Sequence, residues 1–252
     1  MDRDVDRDPL LRVLLPRPAH AVHPDLAGCR APAAKTVDPD WQIDALRRSP
    51  AVMAQEMATV AELSKGRARF AVAAGEEKQF APYGEKRSKP FSRLDEAVRI
   101  WYELWGAGDG AVNRDSEFWP LQDAVFPLSP TLEHKPEILV VGGGDKVLRL
   151  AGEVADGWMT YLPGGVANDV DKLAETIEQV KGIASDAGRD PEDLAFNAQV
   201  ILALGEDDEQ GWEYARHPNN GWLAITAASI DSSTTEGLAA MVPMVANTRM
   251  PA

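Results

Sequence analysis

Three consecutive glycines, Gly142, Gly143 and Gly144, stand between the apolar run ILVV and an amphipathic pattern, DKVLRLAGEVA. A buried strand running into glycines and a helix start brings backbone N–H groups close to an anionic ligand at the positive end of the helix dipole. The same glycines also make a tight strand-to-helix turn with no ligand, by tolerating positive φ. Both readings are open from this stretch alone. Cations that would favour an anion lie in the middle of the chain: Lys86, Arg87, Lys89 and Arg93 cluster, and Lys146 and Arg149 flank the glycines. Taken singly, each of these is also what an ordinary solvated helix start carries.

A chain of 252 residues with 44% hydrophobic content is globular and long enough for one large domain, since α/β barrels reach this size undivided. No apolar run of about 18 residues occurs, and the charged start MDRDVDRD is unlike a secretion signal. No membrane span is therefore expected, and the cytoplasm is the default location. Cys29 is the single cysteine, which excludes an internal disulfide and a thiolate metal cluster; no metal site is expected. The net charge of −14 argues against nucleic-acid or membrane-surface partners, leaving a small-molecule substrate. Residues 189–252 carry ten acids and three arginines, a net of −7, half of the imbalance.

The elements that would position the glycines follow from periodicity. Residues 1–39 hold six prolines and read as irregular apart from LLRVLL. Ser49 as a cap and Pro50 in the first turn open a helix over AVMAQEMATVAEL, which Gly66 ends. RARFAVAAGE reads as a strand running into a loop. Pro90 opens a second helix whose Phe91, Leu94, Ala97, Val98, Trp101, Leu104 and Trp105 share one buried face, closed by Gly106. An ordered excursion over residues 111–130 precedes the strand EILVVG. The helix DKVLRLAGEVA, the strand GWMTYL, a helix over residues 170–187, the strand AFNAQVILALG and a helix from about Asp207 complete the pattern. Strands alternating with helices predict a parallel sheet. GGGDKV lacks the third glycine of the dinucleotide fingerprint and has no acidic strand end at ribose distance, so a doubly wound sheet fits poorly. A (β/α)8 barrel, whose late loops form phosphate sites at one face, fits better.

Three segments then carry a resemblance: RRSPAVMAQEMATVAELSKGRARFAVAAGEE, PYGEKRSKPFSRLDEAVRIWYELW and ILVVGGGDKVLRLAGEVADGWMTY. Together they resemble the luciferase-like monooxygenase superfamily over residues 43–204, specifically the branch using the deazaflavin coenzyme F420. PYGEKRSKPFSR, FWPLQDAVFPLSP and ASDAGRDP are most similar to mycobacterial phthiodiolone ketoreductases and F420-linked reductases. The resemblance implies a luciferase-like TIM barrel, and F420 as cofactor with FMN as the alternative. It implies cofactor contacts at Gly142, Gly143 and Gly144, with backbone amides on the phosphate, and at Thr160 and Tyr161 near the cofactor tail. Glu76, closing a segment that includes Gly75, matches a carboxylate that takes part in proton transfer, and Gln79 a position carrying an amide near the ring. Ala73 stands where the family has glycine, and Asp145 places a negative charge beside the phosphate site.

Family members have three βα units before RRSPAV, where this sequence has some forty residues. The expectation is therefore an incomplete barrel over residues 41–230, between an irregular Pro-rich segment, 1–40, and a weakly patterned tail, 231–252. His20 and His23 have no strand pattern around them, so the family's histidine role passes to neither. The readings that stay open are an F420-dependent reductase moving a hydride to or from a carbonyl-type acceptor, with an FMN-dependent luciferase-like monooxygenase as the alternative enzyme, a truncated non-catalytic remnant, and a chain that completes itself by pairing as a homo-oligomer. The remnant reading predicts weak cofactor affinity with little turnover.

Overall fold

The structure, a computed structural model, describes residues 40–162 and 170–200. Its centre is a five-stranded, all-parallel sheet. Strand β1 (Asp40–Asp44) leads to helix α1 (Pro50–Ser64), then β2 (Arg69–Ala73), the short helix α2 (Glu77–Phe80) and helix α3 (Pro90–Trp105). A hairpin of β3 (Ala111–Arg114) and β4 (Leu121–Val125) follows, then β5 (Glu137–Val141), α4 (Asp145–Glu153), β6 (Gly157–Leu162), α5 (Val170–Asp186) and β7 (Ala195–Val200). The spatial order is β1-β2-β5-β6-β7, so each strand lies beside the next one of the sheet in chain order and the hairpin stands apart as its own two-stranded sheet. Successive βα units added on one side are the arrangement of a barrel wall, and not of a sheet that reverses direction at a switch point.

The two faces of the sheet differ. Phe70, Val72, Ile138, Val140 and Trp158 point to the helices and join the main core with Met53, Met57, Leu94, Trp101 and Leu148. Ala71, Leu139, Val141, Met159 and Ala195, the alternate positions, form a second cluster on the opposite face. Helix α3 packs on α1 through its tryptophans, both of which the periodicity had placed in the core. Trp101 Nε1 donates to Pro50 O at 3.0 Å and Trp105 Nε1 to Ala54 O at 3.1 Å, so neither indole N–H is left unpaired on burial.

The predicted elements are present with three corrections. Residues 40–44 form a strand in parallel register with β2, Ile43 opposite Val72, although DWQID is too short and too polar to declare one. The excursion over residues 111–130 contains an antiparallel hairpin, held by the buried Glu96 carboxylate, which accepts from Ser116 Oγ, Phe118 N and Trp119 N. Ser49 occupies the N-cap of α1 in extended backbone, but its hydroxyl makes no capping bond; only its carbonyl accepts, from Met53 N. The irregular reading of residues 1–39, the helix near Asp207 and the 231–252 tail lie outside the described residues, as do His20, His23 and Cys29.

The AGEVADGW and ASDAGRDP segments stabilise the sheet and its helix layer, several of their contacts lying at the edge where strands begin. A β-carbon on Gly152 would come within 2.8 Å of Ile183 Cβ, and one on Gly157 within 1.9 Å of Ala195 O, so helix and strand approach there only as glycine allows. Asp156 accepts from Tyr102 Oη at 2.6 Å and from Ile138 N at 2.9 Å. Burial and then the Asp156 carboxylate push the Tyr102 phenol well above its usual range. Arg189 donates to Gly152 O and Ala155 O, both at 2.7 Å, satisfying carbonyls that the C-terminus of α4 leaves open.

Candidate functional site

In a parallel sheet the loops after strands share one rim, and β2 and β5 are neighbours in parallel register, Val72 opposite Val140. The Glu76 loop and the glycine turn therefore leave adjacent strands on the same side, with strand axes about 5 Å apart. Register also defines a floor beneath them. Asp44 pairs with Ala73, the next position beyond Val72 and Val140 sets Ala73 level with Val141, Val141 pairs with Met159, and Met159 with Asn197. These five residues form one row on the face away from the helices: Ala73, Val141 and Met159 apolar in the middle, Asp44 and Asn197 polar at the sides.

The three glycines are not equivalent. Gly142 has φ 139°, and a β-carbon there would lie 3.3 Å from Val147 Cγ1; its carbonyl accepts from Trp158 Nε1 at 2.6 Å. Its glycine is required by the turn. Gly144 is the N-cap of α4 with φ −81° and ψ 147°, ordinary extended backbone, and no atom lies within 4 Å of where a β-carbon would stand. Gly143 and Gly144 are both exposed. The amides of Asp145 and Lys146 open the helix and have no intrahelical partner by helix geometry, while Val147 N and Leu148 N both turn to Gly144 O, at 2.8 and 3.1 Å. Asp145 sits in this first turn, where its charge favours the bare helix end and opposes an anion.

On the neighbouring loop, Glu76 and Gln79 form a reciprocal capping box: Glu76 is the N-cap of α2 and its N–H donates to Gln79 Oε1 at 2.8 Å. The two residues expected at a reaction centre are thus brought together, with Glu76 exposed and Gln79 half-buried. Gly75 has φ 62°, and a β-carbon would fall 2.5 Å from Cε2 of the buried Phe80, so this glycine serves the corner that carries Glu76. Thr160 and Tyr161 are separated by strand alternation. Tyr161 shares the Met159 face and is 40% exposed, whereas Thr160 is buried on the Trp158 side. The two side chains therefore face opposite sides of the sheet, and only Tyr161 looks toward the floor.

Several members of the cationic cluster have structural partners, while the exposed Lys146 beside the glycine turn contacts, among the described residues, only the Phe91 ring, at 5.8 Å. Arg93 stacks over Phe118 and Trp119, Lys89 pairs with Glu117, and Arg149 pairs with Glu153. Arg87 alone reaches the candidate corner, its Nε donating to Ala74 O at 3.1 Å and Gly75 O at 2.8 Å. Sequence reasoning missed Asp44 and Arg47. The Asp44 carboxylate accepts from Leu46 N, Arg47 N and Arg47 Nε, and Arg47 stacks on Phe80. The only available signal was an Asp three residues before an Arg beyond a strand too short to recognise. The cleft bordered by Arg149, Glu153 and Asp186 opens between α4 and α5 and not over the floor.

Comparison with known proteins follows the same lines. Residues 43–250 match the family profile described as luciferase-like monooxygenase. A phthiodiolone/phenolphthiodiolone dimycocerosates ketoreductase of Mycobacterium sp. (strain JLS) is 40% identical over 162 residues, 64% of this chain and 42% of the relative. An F420-dependent glucose-6-phosphate dehydrogenase of Amycolatopsis mediterranei (strain U-32) is 30% identical over 174 residues, 68% of this chain and 50% of the relative. The chain thus spans half or less of the length of these relatives. Among solved structures, an F420-dependent secondary alcohol dehydrogenase in complex with an F420-acetone adduct superposes with TM-score 0.66 at 24% identity, covering 84% of this chain and 68% of the other. A long-chain alkane monooxygenase does so with TM-score 0.66 at 16% identity, covering 84% and 54%. Both likenesses speak to the fold. No described helix is long and apolar enough to cross a membrane.

Proposed function

The chain belongs to the luciferase-like monooxygenase family, and from that premise we propose that it is an F420-dependent oxidoreductase acting on a carbonyl-type acceptor and its alcohol. The observation that carries the reading is the pairing, on adjacent strand ends, of an exposed glycine turn opening a helix with the Glu76–Gln79 corner, above an apolar floor. The residues fit a phosphate-bearing cofactor tail: the space over Gly144 is open to 4 Å, and the first amides of α4 are available to an anion. When bound, the deazaflavin would supply the carbon that gives or takes the hydride.

The chain's own residues would bind, orient and exclude water. The exposed turn at Gly143 and Gly144, with the first amides of α4, would hold the phosphate, Ala73, Val141 and Met159 would keep the floor dry, and Tyr161 would cover the side nearest β6. Glu76 holds or releases a proton at its carboxylate, and Arg87 fixes the two carbonyls that precede it. Glu76 also takes part in the cap of α2, and since a carboxylate has two oxygens, one can serve the cap while the other handles the proton. The similarity to the mycobacterial ketoreductase supports a carbonyl acceptor, and the similarity to the glucose-6-phosphate dehydrogenase supports F420.

Fluorescence titration of the purified chain with F420 and, separately, FMN tests the binding; hydride transfer to small ketones tests the chemistry. Saturable F420 binding is expected. Glu76→Gln should leave it within about threefold while lowering any turnover by about 10²- to 10⁴-fold, the range for a general acid–base group. FMN binding without F420 binding would transfer the reading to a flavin enzyme. Binding of neither would mean the fold is retained without the function, and F420 binding without turnover would identify a non-catalytic relative.

A further inference from the structure

At the opposite edge of the sheet, Glu62, Glu133 and His134 bring one ligand atom each to within 4.8 Å of one another. The geometry points to a binding site for a first-row divalent metal ion, of which zinc is the type, clipping the end of α1 to the segment that leads into β5. Glu62 lies in the last turn of α1, which returns the chain to the start of β2, and His134 is three residues before β5 begins. The site therefore sits on the rim where strands start, remote from the glycine turn and independent of the proposed oxidoreductase.

The donor set differs from a patch of acids because an imidazole converges with the two carboxylates. One nitrogen and two oxygen ligands suit zinc and its neighbours better than calcium or magnesium, which take oxygen shells. The set is also held in place before any ion arrives. His134 N donates to Glu62 Oε1 at 2.8 Å, fixing the helix end to the loop, and the imidazole lies against Gly66, whose absent β-carbon would stand 3.3 Å from Nδ1. Gly66 in turn has φ 73° and closes α1 through its N–H to Ala61 O. No hydrogen bond or ion pair among the described residues occupies the imidazole or the Glu133 carboxylate, and Glu62, whose Oε1 accepts from His134 N, has a second oxygen to offer an ion.

A clip here has a physical role. Between β2 and β5, neighbours in the sheet, the chain makes an excursion of more than sixty residues through α2, α3 and the hairpin. Closing so long a loop costs conformational entropy, and a metal bridging α1 to the end of the excursion ties its return to the core that β2 and α1 already share.

The full chain, stripped with chelator, is titrated with zinc chloride by calorimetry in a non-coordinating buffer, and with cobalt chloride by visible absorption. One equivalent is expected to bind, with a cobalt spectrum of a nitrogen–oxygen site and no thiolate charge-transfer band. At about ten times Kd the melting temperature should rise by about 3–5 °C, since binding to the native state alone adds stability by mass action. His134→Ala and Glu133→Gln should each weaken zinc by at least about tenfold, the least that loss of a supporting group at a metal site brings. Glu133 is exposed, so Glu133→Gln keeps the test valid if the His134 variant folds poorly. Absence of binding and of any melting shift at 1 mM zinc, or binding undiminished in both variants, as His20, His23 or Cys29 would give, overturns the proposal.

Discussion

Replacing Gly144 and Gly142 by alanine, one at a time, separates a turn that only folds from a turn that also binds. At Gly144 the backbone is extended and the space beyond is empty. Alanine is a poorer N-cap than glycine by about 0.5–1 kcal/mol, while the stiffer unfolded chain returns about 0.4–1 kcal/mol. The two nearly cancel, and the melting temperature should move by no more than about 2 °C. At Gly142 the backbone at φ 139° is one that alanine rarely adopts, and the new methyl would press on Val147. A cost of about 1–3 kcal/mol follows, or a fall of about 3–10 °C. If the phosphate of a cofactor rests on the turn, the Gly144 methyl occupies its approach, and affinity for F420 should drop by about tenfold or more, equivalent to about 1.4 kcal/mol. Thermal melts and F420 titration on both variants decide the matter. A Gly144 variant that melts as low as the Gly142 variant, or one that binds F420 as the parent does, would refute the assignment.

Two further outcomes concern the architecture. Gly157→Ala should abolish folding or cost more than about 3 kcal/mol, because the β-carbon would meet Ala195 O at 1.9 Å at the first pair of the parallel β6–β7 ladder; soluble expression and denaturant melts measure it. Tyr102 has its phenol raised in the folded state by burial and by Asp156, so the unfolded chain ionises first. The associated stability is fully present below pH 10 and declines as pH rises beyond it; Tyr102→Phe should remove that decline in denaturant melts between pH 9 and 11 while lowering stability at pH 7.

Much of the fold was legible because its helices and inner strands announce themselves by period. The seven apolar positions spaced along α3 and the run ILVV bounded by glycines admit few alternatives. Strand β1 was not legible: five residues with two acids and a glutamine pair with β2 only because the rest of the sheet presents an edge. The hairpin was seen as order without pairing, since its residues are mostly exposed and what anchors it is a buried glutamate from another helix. At the site, the position of the glycine turn beside Glu76 was legible from strand order alone. The division of labour among the three glycines was not, because it rests on Val147 and Trp158 approaching from elsewhere in the chain. Which of Thr160 and Tyr161 faces the floor was not legible, because the resemblance carries positions and alternation along β6 decides between adjacent side chains.

The segments that carry the resemblance and the residues that would carry the chemistry are largely different. In AGEVADGW, Gly152 admits α5, Asp156 joins Tyr102 to β5, Gly157 admits β7, and only Trp158 touches the candidate site, through the carbonyl of Gly142. In ASDAGRDP, Arg189 closes the end of α4. Their contacts serve the stability of a parallel sheet with helices packed on one face, whatever the rim above it does. Function on a barrel depends on the loops after the strands, and inheriting the wall does not transmit it. The informative residues are therefore few and sit on two loops: Gly144, beyond which the space is open, with the exposed Gly143 beside it, and Glu76, whose carboxylate also serves the cap of α2. The glycine turn is the stronger evidence for a ligand, because it leaves open space at a helix start whose first amides have no intrahelical partner.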